Sequence, residues 1–198
     1  MAKTKKLRIT QKMRKEIFAK SQALQNLAYG AAKQKSDRLR RDLLREFDNH
    51  PVTKEIEQGP SGTSSLLGGR GNFFGFLGFN SGDKPIEILR DSLSDQFKIL
   101  SKKGKVKKAS KTSLIYSFDI LYPTKTQIYA ITPLAWTSKS WVKGVEKGIT
   151  NYTQTVFKKS ENSRSGVALQ TDRKIGFIRF SPTPYVTQML DKIRKELK

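Results

Sequence analysis

A glycine-rich segment at residues 58–83 carries four phenylalanines, and this combination constrains the fold more than any other feature of the chain. Spacers rich in glycine are normally polar, because a mobile segment gains nothing from aromatic side chains that water excludes. The four rings must therefore be buried, either in the core of the same domain or against a neighbouring subunit. They belong to Phe73, Phe74, Phe76 and Phe79. The segment is predicted to be a docking element rather than a linker.

We interpret this glycine-rich segment as the main contact between subunits of an assembly. It runs for about 25 residues without a helical or strand pattern, and loops of that length are usually functional. Gly69 and Gly71 would let the backbone turn closely while the phenylalanines fill pockets of an adjacent subunit. The alternative is an aromatic cluster that folds onto the domain's own core, which would account for some of the four rings.

The first predicted helix runs from about Thr10 to Phe47, where apolar residues recur at spacings of three, four and seven. Thr10 is a suitable N-cap, and Pro51 is a stop signal because proline excludes the preceding residue from helical geometry. Gly30 weakens the middle of the helix by about 1 kcal/mol relative to alanine and indicates a bend. A helix of this length is expected to lie along a sheet or along neighbouring subunits.

Two further helices are predicted, and residues 136–150 permit a third, short one. Residues 84–100 repeat apolar side chains at spacings of three or four, with Pro85 in the first turn. Thr183 and Pro184 open the final helix as its N-cap and first residue. Its apolar face is expected to contain Tyr185, Met189, Ile193, Val186, Leu190 and Leu197.

Alternation between apolar and polar residues predicts several short strands in the second half of the chain. The lysine-rich stretch at 102–111 is predicted to be a loop tip or hairpin connection. Together the elements predict a single α+β domain over residues 1–198, with a long N-terminal helix, an antiparallel sheet, a C-terminal helix and an extended glycine-rich loop. Residues 1–9 are expected to form a basic arm. The predicted strands are 114–120, 126–131, 151–157, 166–170 and 174–180.

The residue types needed for catalysis are scarce. Without cysteine, disulfides, thiolate zinc sites and cysteine nucleophiles are excluded, and the single histidine, His50, stands at a helix end where an imidazolium would be favoured. No phosphate-binding loop or dinucleotide fingerprint is complete around the glycines. Asp91 and Asp95 share the helix face opposite Leu89 and Leu93, which indicates a solvated face rather than an acid–base pair. We predict a protein that is not an enzyme and takes no cofactor or metal.

The net charge of +22 is large for 198 residues and favours polyanions or acidic protein surfaces as partners. Lysine-rich blocks contact phosphates without sequence preference, so non-specific nucleic-acid binding is the alternative function. No apolar run approaches the roughly 20 residues that span a bilayer, and no signal core follows the N-terminus, so a cytoplasmic origin is expected. The lysines predicted to contact DNA or an acidic partner are Lys3, Lys5, Lys6, Lys102, Lys103, Lys105, Lys107 and Lys108.

Three stretches resemble the neck and tail-completion proteins of tailed bacteriophages, a small α+β family. They are HPVTKEI at residues 50–56, GGRGNFFGFLGF at 68–79 and FSPTPYVTQMLDKIRKEL at 180–197. The first two look like virion structural proteins of large phages. The third is similar to the closing strand, proline-led turn and terminal helix of the family.

This resemblance implies a structural subunit of the tail-terminator-like ring that joins head and tail, in six or twelve copies. The implied partners are other copies of the chain, an adjacent portal or adaptor ring and tail-tube proteins, with DNA as a further contact and no membrane. The expected location is the virion, assembled in the host cytoplasm. The resemblance implies no catalytic group.

Overall fold

The computed structural model describes residues 10–69, 71–110, 113–134, 137–148, 155–157, 168–170 and 181–197. The basic arm and the strand predicted at 174–180 lie outside the described residues. By its internal contacts the chain divides into two compact units. Unit 1 comprises residues 1–39 and 97–122, and unit 2 comprises residues 40–96 and 123–198. The single domain inferred from the sequence stays a prediction.

The described residues form eight α-helices, with a 3₁₀ turn at Gly59–Ser61 between the third and the fourth. The long second helix passes from unit 1 into unit 2. The helices are α1 (Gln11–Lys20), α2 (Gln22–Asn49), α3 (Pro51–Glu57), α4 (Phe73–Phe76), α5 (Pro85–Asp95), α6 (Lys125–Ile131), α7 (Trp141–Lys147) and α8 (Val186–Glu196).

The strands of the described residues are short and pair in twos, always antiparallel. They are β1 (Lys98–Ile99), β2 (Lys105–Ala109), β3 (Leu114–Ser117), β4 (Ile120–Leu121), β5 (Pro133–Leu134), β6 (Thr137–Ser140), β7 (Thr155–Phe157) and β8 (Ala168–Gln170). The pairs are β1 with β4, β2 with β3, β5 with β6 and β7 with β8. The predicted α+β class is confirmed, with a long N-terminal helix, small antiparallel sheets and a C-terminal helix.

The long N-terminal helix begins where the sequence predicts, but it is divided into two helices, α1 and α2, at a residue that the sequence analysis did not single out. Thr10 caps α1, because its hydroxyl accepts a hydrogen bond from the backbone N–H of Met13 at 3.3 Å. The interruption falls at Ser21, whose extended backbone separates α1 from α2. Helix α2 continues through Gly30, and the bend predicted there stays a prediction.

The strand predicted at residues 126–131 is wrong, because this stretch is helix α6. The Thr124 hydroxyl accepts a hydrogen bond from the Gln127 N–H at 3.3 Å, and the Gln127 side chain accepts one from the Thr124 N–H at 2.9 Å. This reciprocal capping box satisfies two backbone donors that a helix start leaves unpaired. The local cap therefore starts a helix where the short apolar run alone was compatible with a strand.

Other helix boundaries differ by a few residues. The helix predicted at 84–100 ends at Asp95, and the chain then enters β1. The final helix begins at Val186, two residues later than predicted, and Pro184 precedes it. Pro51 does not only end α2, since it is also the first residue of α3. The short helix permitted at 136–150 is present as α7, with Ser140 as its N-cap.

Aromatic rings from both chain segments meet in the core of unit 2. Phe47 stacks on Tyr185 with ring centroids 5.8 Å apart, and Trp141 lies 6.2 Å from the same ring. Phe79 meets Trp141 edge-on at 5.8 Å. The glycine-rich segment, which contributes Phe79, is thus part of this core. Aliphatic residues buried in unit 2 include Val52, Ile56, Leu67, Leu77, Ile86, Leu89, Leu93, Ile128, Val142, Val145, Val186, Met189, Leu190 and Ile193.

Candidate interaction surfaces

Unit 1 is the more positively charged of the two units. Of the 39 Lys and Arg and the 17 Asp and Glu in the chain, unit 1 holds 18 and 3 within 65 residues. Unit 2 holds the remaining 21 and 14 within 133 residues. Such an excess of positive charge opposes compaction and favours a negatively charged partner. Unit 1 is therefore the first place to look for an interaction surface.

A β-bulge turns two neighbouring lysines of unit 1 outward. The register between β2 and β3 shifts between Val106 and Lys108, so Lys107 is an extra residue in β2. Strict alternation would turn Lys108 to the same face as Val106. With the bulge, Lys107 and Lys108 are both exposed, whereas Val106 is half-buried and Ala109 is buried. The hairpin thus has an apolar inner face and a cationic outer face.

Helix α1 is held by both strands of the β2–β3 hairpin. It packs against β2, and β3 forms a hydrogen bond with it. The Tyr116 hydroxyl on β3 donates a hydrogen bond to the backbone carbonyl of Phe18 at 2.9 Å. Burial raises the pKa of Tyr116, so the hydroxyl stays a donor well above neutral pH. This contact fixes the hairpin to the helix while its outer face remains open.

Gln25 on helix α2 holds the hairpin at the glycine that precedes β2. Its side-chain carbonyl accepts a hydrogen bond from the Gly104 N–H at 2.9 Å, and its amide donates to the Gly104 carbonyl at 3.1 Å. The Phe118 ring lies against Gly104 and against Tyr29, with 6.2 Å between the two ring centroids. A glutamine that is 6% exposed therefore satisfies both backbone groups of one glycine.

We expect Gly104→Ala to destabilise unit 1 by about 1–3 kcal/mol, because overpacking displaces neighbouring groups. A Cβ at this position would lie 2.7 Å from the Phe118 ring, closer than real Cβ atoms approach. Denaturant unfolding with hydrogen exchange of the hairpin amides measures the loss. Gly30→Ala is the control, since a Cβ there meets nothing within 4 Å. Equal stability of the two variants would contradict this packing.

Exposed aliphatic side chains are concentrated in unit 1. Among the described residues seven large hydrophobic side chains are exposed, and six of them lie in this unit. Two face lysines across the strands, Ile115 opposite Lys108 and Leu121 opposite Lys98. Contiguous exposed apolar patches mark interaction sites, so these side chains are candidates for such a contact. The six are Met13, Ile17, Leu27, Leu100, Ile115 and Leu121.

The structure brings together the hairpin lysines that the sequence singled out. The stretch predicted as a loop is largely strand β2, because Val106 and Ala109 supply an inner face. Among the described residues only Lys105 of this set forms an ion pair, with Asp119 at 3.3 Å. The exposed hairpin lysines are Lys102, Lys103, Lys105, Lys107 and Lys108. The other three predicted contacts, outside the described residues, are Lys3, Lys5 and Lys6.

The phenylalanines of the glycine-rich segment are placed mainly inside unit 2. Phe73, Phe74 and Phe79 are buried, and Phe76 is half-buried. The Phe74 and Phe79 rings are tilted against each other with centroids 5.3 Å apart. Three of the four rings therefore match the alternative interpretation, a cluster within the chain's own core. An intersubunit role for the four stays a prediction.

Gly69 and Gly71 close a compact turn before α4. Their φ angles of +74° and +71° favour glycine over residues with a Cβ. The Gly69 N–H donates to the Ser64 carbonyl at 2.8 Å, and the Ser64 N–H donates to the Gly71 carbonyl at 3.0 Å. Both glycines are exposed, so this turn is the part of the segment that a neighbouring subunit would reach.

A buried carboxylate that the sequence-based predictions missed holds the same turn. Glu55 on helix α3 is 6% exposed and accepts hydrogen bonds from the N–H groups of Ser65 at 2.9 Å and Leu66 at 3.0 Å. The hydroxyls of Ser64 and Ser65 donate to it as well. Four protein donors thus form hydrogen bonds with one carboxylate. The sequence does contain a signal for the burial of Glu55, because Glu55 follows Val52 by three residues and therefore lies on the same, buried face of the helix.

His50 caps helix α3 and packs on the buried Tyr185. Its Nδ1 accepts a hydrogen bond from the Val52 N–H at 3.3 Å, and the two rings lie 4.7 Å apart. Burial lowers the pKa of His50, outweighing the hydrogen bond to the Pro184 backbone and the charge of Glu46. His50 does follow the C-terminus of α2, as predicted, but the predicted preference for an imidazolium is wrong, because burial lowers its pKa and Nδ1 is the acceptor that caps α3.

We expect unit 2 to lose stability as the solution is acidified below about pH 6.5, where an unfolded histidine titrates. Because the folded pKa lies below the unfolded one, neutral His50 contributes stability that is complete above this pH and is lost as pH falls through the folded pKa. Urea unfolding from about pH 8 to about pH 5 measures the slope. His50→Asn keeps a capping acceptor but does not titrate. An identical slope in the variant would contradict the role of His50.

Two features of the described residues bear on whether the chain could perform catalysis. No group of three or more His, Cys, Asp or Glu side chains among them could hold a metal ion. A cleft of about 240 Å³ in unit 2 is lined in part by Ile56, Glu57 and Phe74. This volume lies below the roughly 300–1,000 Å³ of ligand pockets. Desolvation is the main cause of a raised pKa at Glu57, and a single shifted carboxyl does not make an acid–base pair.

Comparison of the chain with protein-family models, with curated proteins and with solved structures finds no match in any of the three. The likeness to phage neck proteins therefore depends on the residues alone. The structure places His50 at the N-cap of α3 and residues 51–56 within this helix, while the described part of residues 68–79 covers the end of the glycine turn and helix α4. No helix of the described residues is long and apolar enough to cross a membrane.

Proposed function

We propose that the chain is a structural subunit of the neck, or tail-completion, ring that joins head and tail in a tailed bacteriophage. Its partners would be copies of itself in a ring of six or twelve, an adjacent portal or adaptor ring and tail-tube proteins. The location would be the virion, and the role would be structural rather than enzymatic.

One observation carries this proposal beyond the resemblance of residues 50–56, 68–79 and 180–197. Six of the seven exposed large hydrophobic side chains and 18 of the 39 cationic residues fall in unit 1. A neighbouring protein that covers this unit buries the exposed aliphatic side chains, and it relieves the repulsion where its own surface is negatively charged. A subunit built for assembly needs such a surface, whereas an isolated monomer is destabilised by it.

The glycine-rich segment takes a narrower part in this proposal. Phe73, Phe74 and Phe79 would support it from inside, because they are buried in unit 2. The half-buried Phe76 and the exposed turn at Gly69 and Gly71 would be its contacts with a neighbour.

The absolute mass of the purified protein tests the proposal. Nucleic acid is removed at high salt, and light scattering with negative-stain images then follows the protein at high salt and at about 0.15 M salt. A ring of about six or twelve copies supports the proposed function, since head-to-tail contacts close into rings when the rotation between subunits allows. A monomer at every concentration and salt would contradict self-assembly.

Non-specific nucleic-acid binding is the second candidate, and the hairpin lysines favour it. Five are exposed, and among the described residues only Lys105 has an ion-pair partner. Binding by phosphate neutralisation weakens steeply with added salt, by a log–log slope of about −0.9 per phosphate contacted. A steep slope from a protein that stays monomeric would favour this candidate over the ring.

A further inference from the structure

We propose that the outer face of the unit 1 hairpin binds the outward face of helix α5 in a second copy of the chain. This inference rests on the ring-forming function proposed above, and it assigns one contact surface to each unit of the chain. The two surfaces are different, so the contact runs head to tail and closes into a ring when the rotation between subunits allows.

The hairpin presents aliphatic groups among positive charges. On β3, Ile115 is 49% exposed and faces Lys108 directly across the strands. Cross-strand neighbours share one face of a hairpin, so this pair points outward together. The bulge adds the exposed Lys107 beside it, and Lys105 follows nearer the base of β2.

Helix α5 presents the opposite pattern. Its inner face is formed by the buried Ile86, Leu89 and Leu93. At 100° per residue, the positions diametrically opposite this face carry carboxylates and one isoleucine. That outward face consists of Glu87, Ile88, Asp91 and Asp95, all exposed.

Ile88 makes the outward face of α5 more than a solvated acidic stripe. It is 57% exposed and is the one large hydrophobic side chain exposed among the described residues of unit 2. Glu87 is paired with Lys84 at 2.9 Å, whereas Asp91 and Asp95 form no ion pair within the described part of the chain. The two aspartates therefore offer charge to a partner.

Charge and exposed aliphatic surface together favour a protein partner over a nucleic acid. Phosphates would match the hairpin lysines but would leave Ile115 in water. Helix α5 supplies both complements, because Ile88 can cover Ile115 while Asp91 and Asp95 meet the lysines. Contacts of this kind also repel wrong partners, since like charges brought together are unfavourable. The occupant of the hairpin face is thus a second copy.

Charge reversal tests the contact with full-length protein. One variant carries Lys105→Glu, Lys107→Glu and Lys108→Glu, and the other carries Asp91→Lys and Asp95→Lys. Each alone is expected to lose the ring by light scattering, because like charges then face each other. An equimolar mixture is expected to restore it, since each reversed surface meets its reversed complement and an even-numbered ring can alternate the two chains.

Cross-linking keeps the test valid even if a charge variant folds poorly. The chain has no cysteine, so engineered thiols have no background. Chains with Ile115→Cys and chains with Ile88→Cys are mixed and oxidised, and a disulfide-linked dimer of the two is expected. In the control, chains with Leu27→Cys replace the chains with Ile115→Cys, since Leu27 is 73% exposed but outside the proposed contact.

Distinct results separate the failure of this contact from failure of the proposed function. A wild-type ring that persists in both charge variants, with no cross-link between positions 115 and 88, overturns the contact and leaves the ring. A hairpin variant that keeps the ring but loses retained DNA makes the hairpin a nucleic-acid surface and also overturns it. A wild-type protein that is monomeric throughout overturns the ring and the contact together.

Discussion

Replacement of Glu55 by alanine is expected to lower the free energy of unfolding of unit 2 by at least about 1–3 kcal/mol, the cost of a buried donor left unpaired, here the Ser64 hydroxyl. The variant removes the acceptor for two serine hydroxyls and two backbone N–H groups. Ser64 is fully buried, so its hydroxyl has no water to turn to. The glycine turn that Glu55 holds should open as a consequence.

Urea unfolding measures the loss, and limited proteolysis within residues 62–72 reports the opening of the turn. Glu57→Ala is the matched control, because Glu57 is an exposed carboxylate on the same helix and should change stability by less than about 0.5 kcal/mol. Glu55→Gln should fall between the two, because it keeps one side-chain acceptor. If Glu55→Ala were as stable as Glu57→Ala, the carboxylate would not be what orders the turn.

Replacement of Phe73 by alanine is expected to cost unit 2 about 3–5 kcal/mol, the usual loss for a buried phenylalanine. Phe73 is 0% exposed and stacks on Phe76 with ring centroids 5.9 Å apart. The loss should appear in the monomer, in denaturant unfolding followed by tryptophan fluorescence, to which the buried Trp141 contributes, without any partner present. This separates a core ring from an intersubunit anchor.

Phe76→Ala is the comparison within the same short helix. Part of the Phe76 ring is already in water, so its removal should cost less than that of Phe73 although both lose the stacking contact. The reverse order would place Phe73 outside the core. An assembly defect in a Phe73 variant must therefore be corrected for the fraction of folded protein before it is assigned to a subunit contact.

Much of the helical framework could be predicted because its signals are local. The apolar spacing of α8 placed Tyr185, Met189 and Ile193 on one face, and all three are buried. Thr10 was predicted as an N-cap and caps α1 through its hydroxyl. Periodicity and capping each depend on residues within one or two turns, so a single sequence contains them in full.

The candidate surfaces were harder to predict because they depend on pairing between distant residues. The sequence shows that residues 102–111 are rich in lysine, but the bulge that exposes both Lys107 and Lys108 exists only once β2 has found β3. The same is true of Glu55, whose donors lie nine to eleven residues away. The four phenylalanines had to be buried, but composition did not decide between the chain's own core and a neighbour.

Unit 1 is assembled from two pieces of chain separated by residues 40–96, and this order affects its synthesis on the ribosome. Helix α1 and the start of α2 emerge before the hairpin that packs on them has been translated. At about 5–20 residues per second, the remaining 83 residues to Tyr122 take on the order of 4–17 s. Through that interval Phe18, Gln25 and Tyr29 lack their hairpin partners, so the nascent chain displays a cationic amphipathic helix that chaperones can recognise.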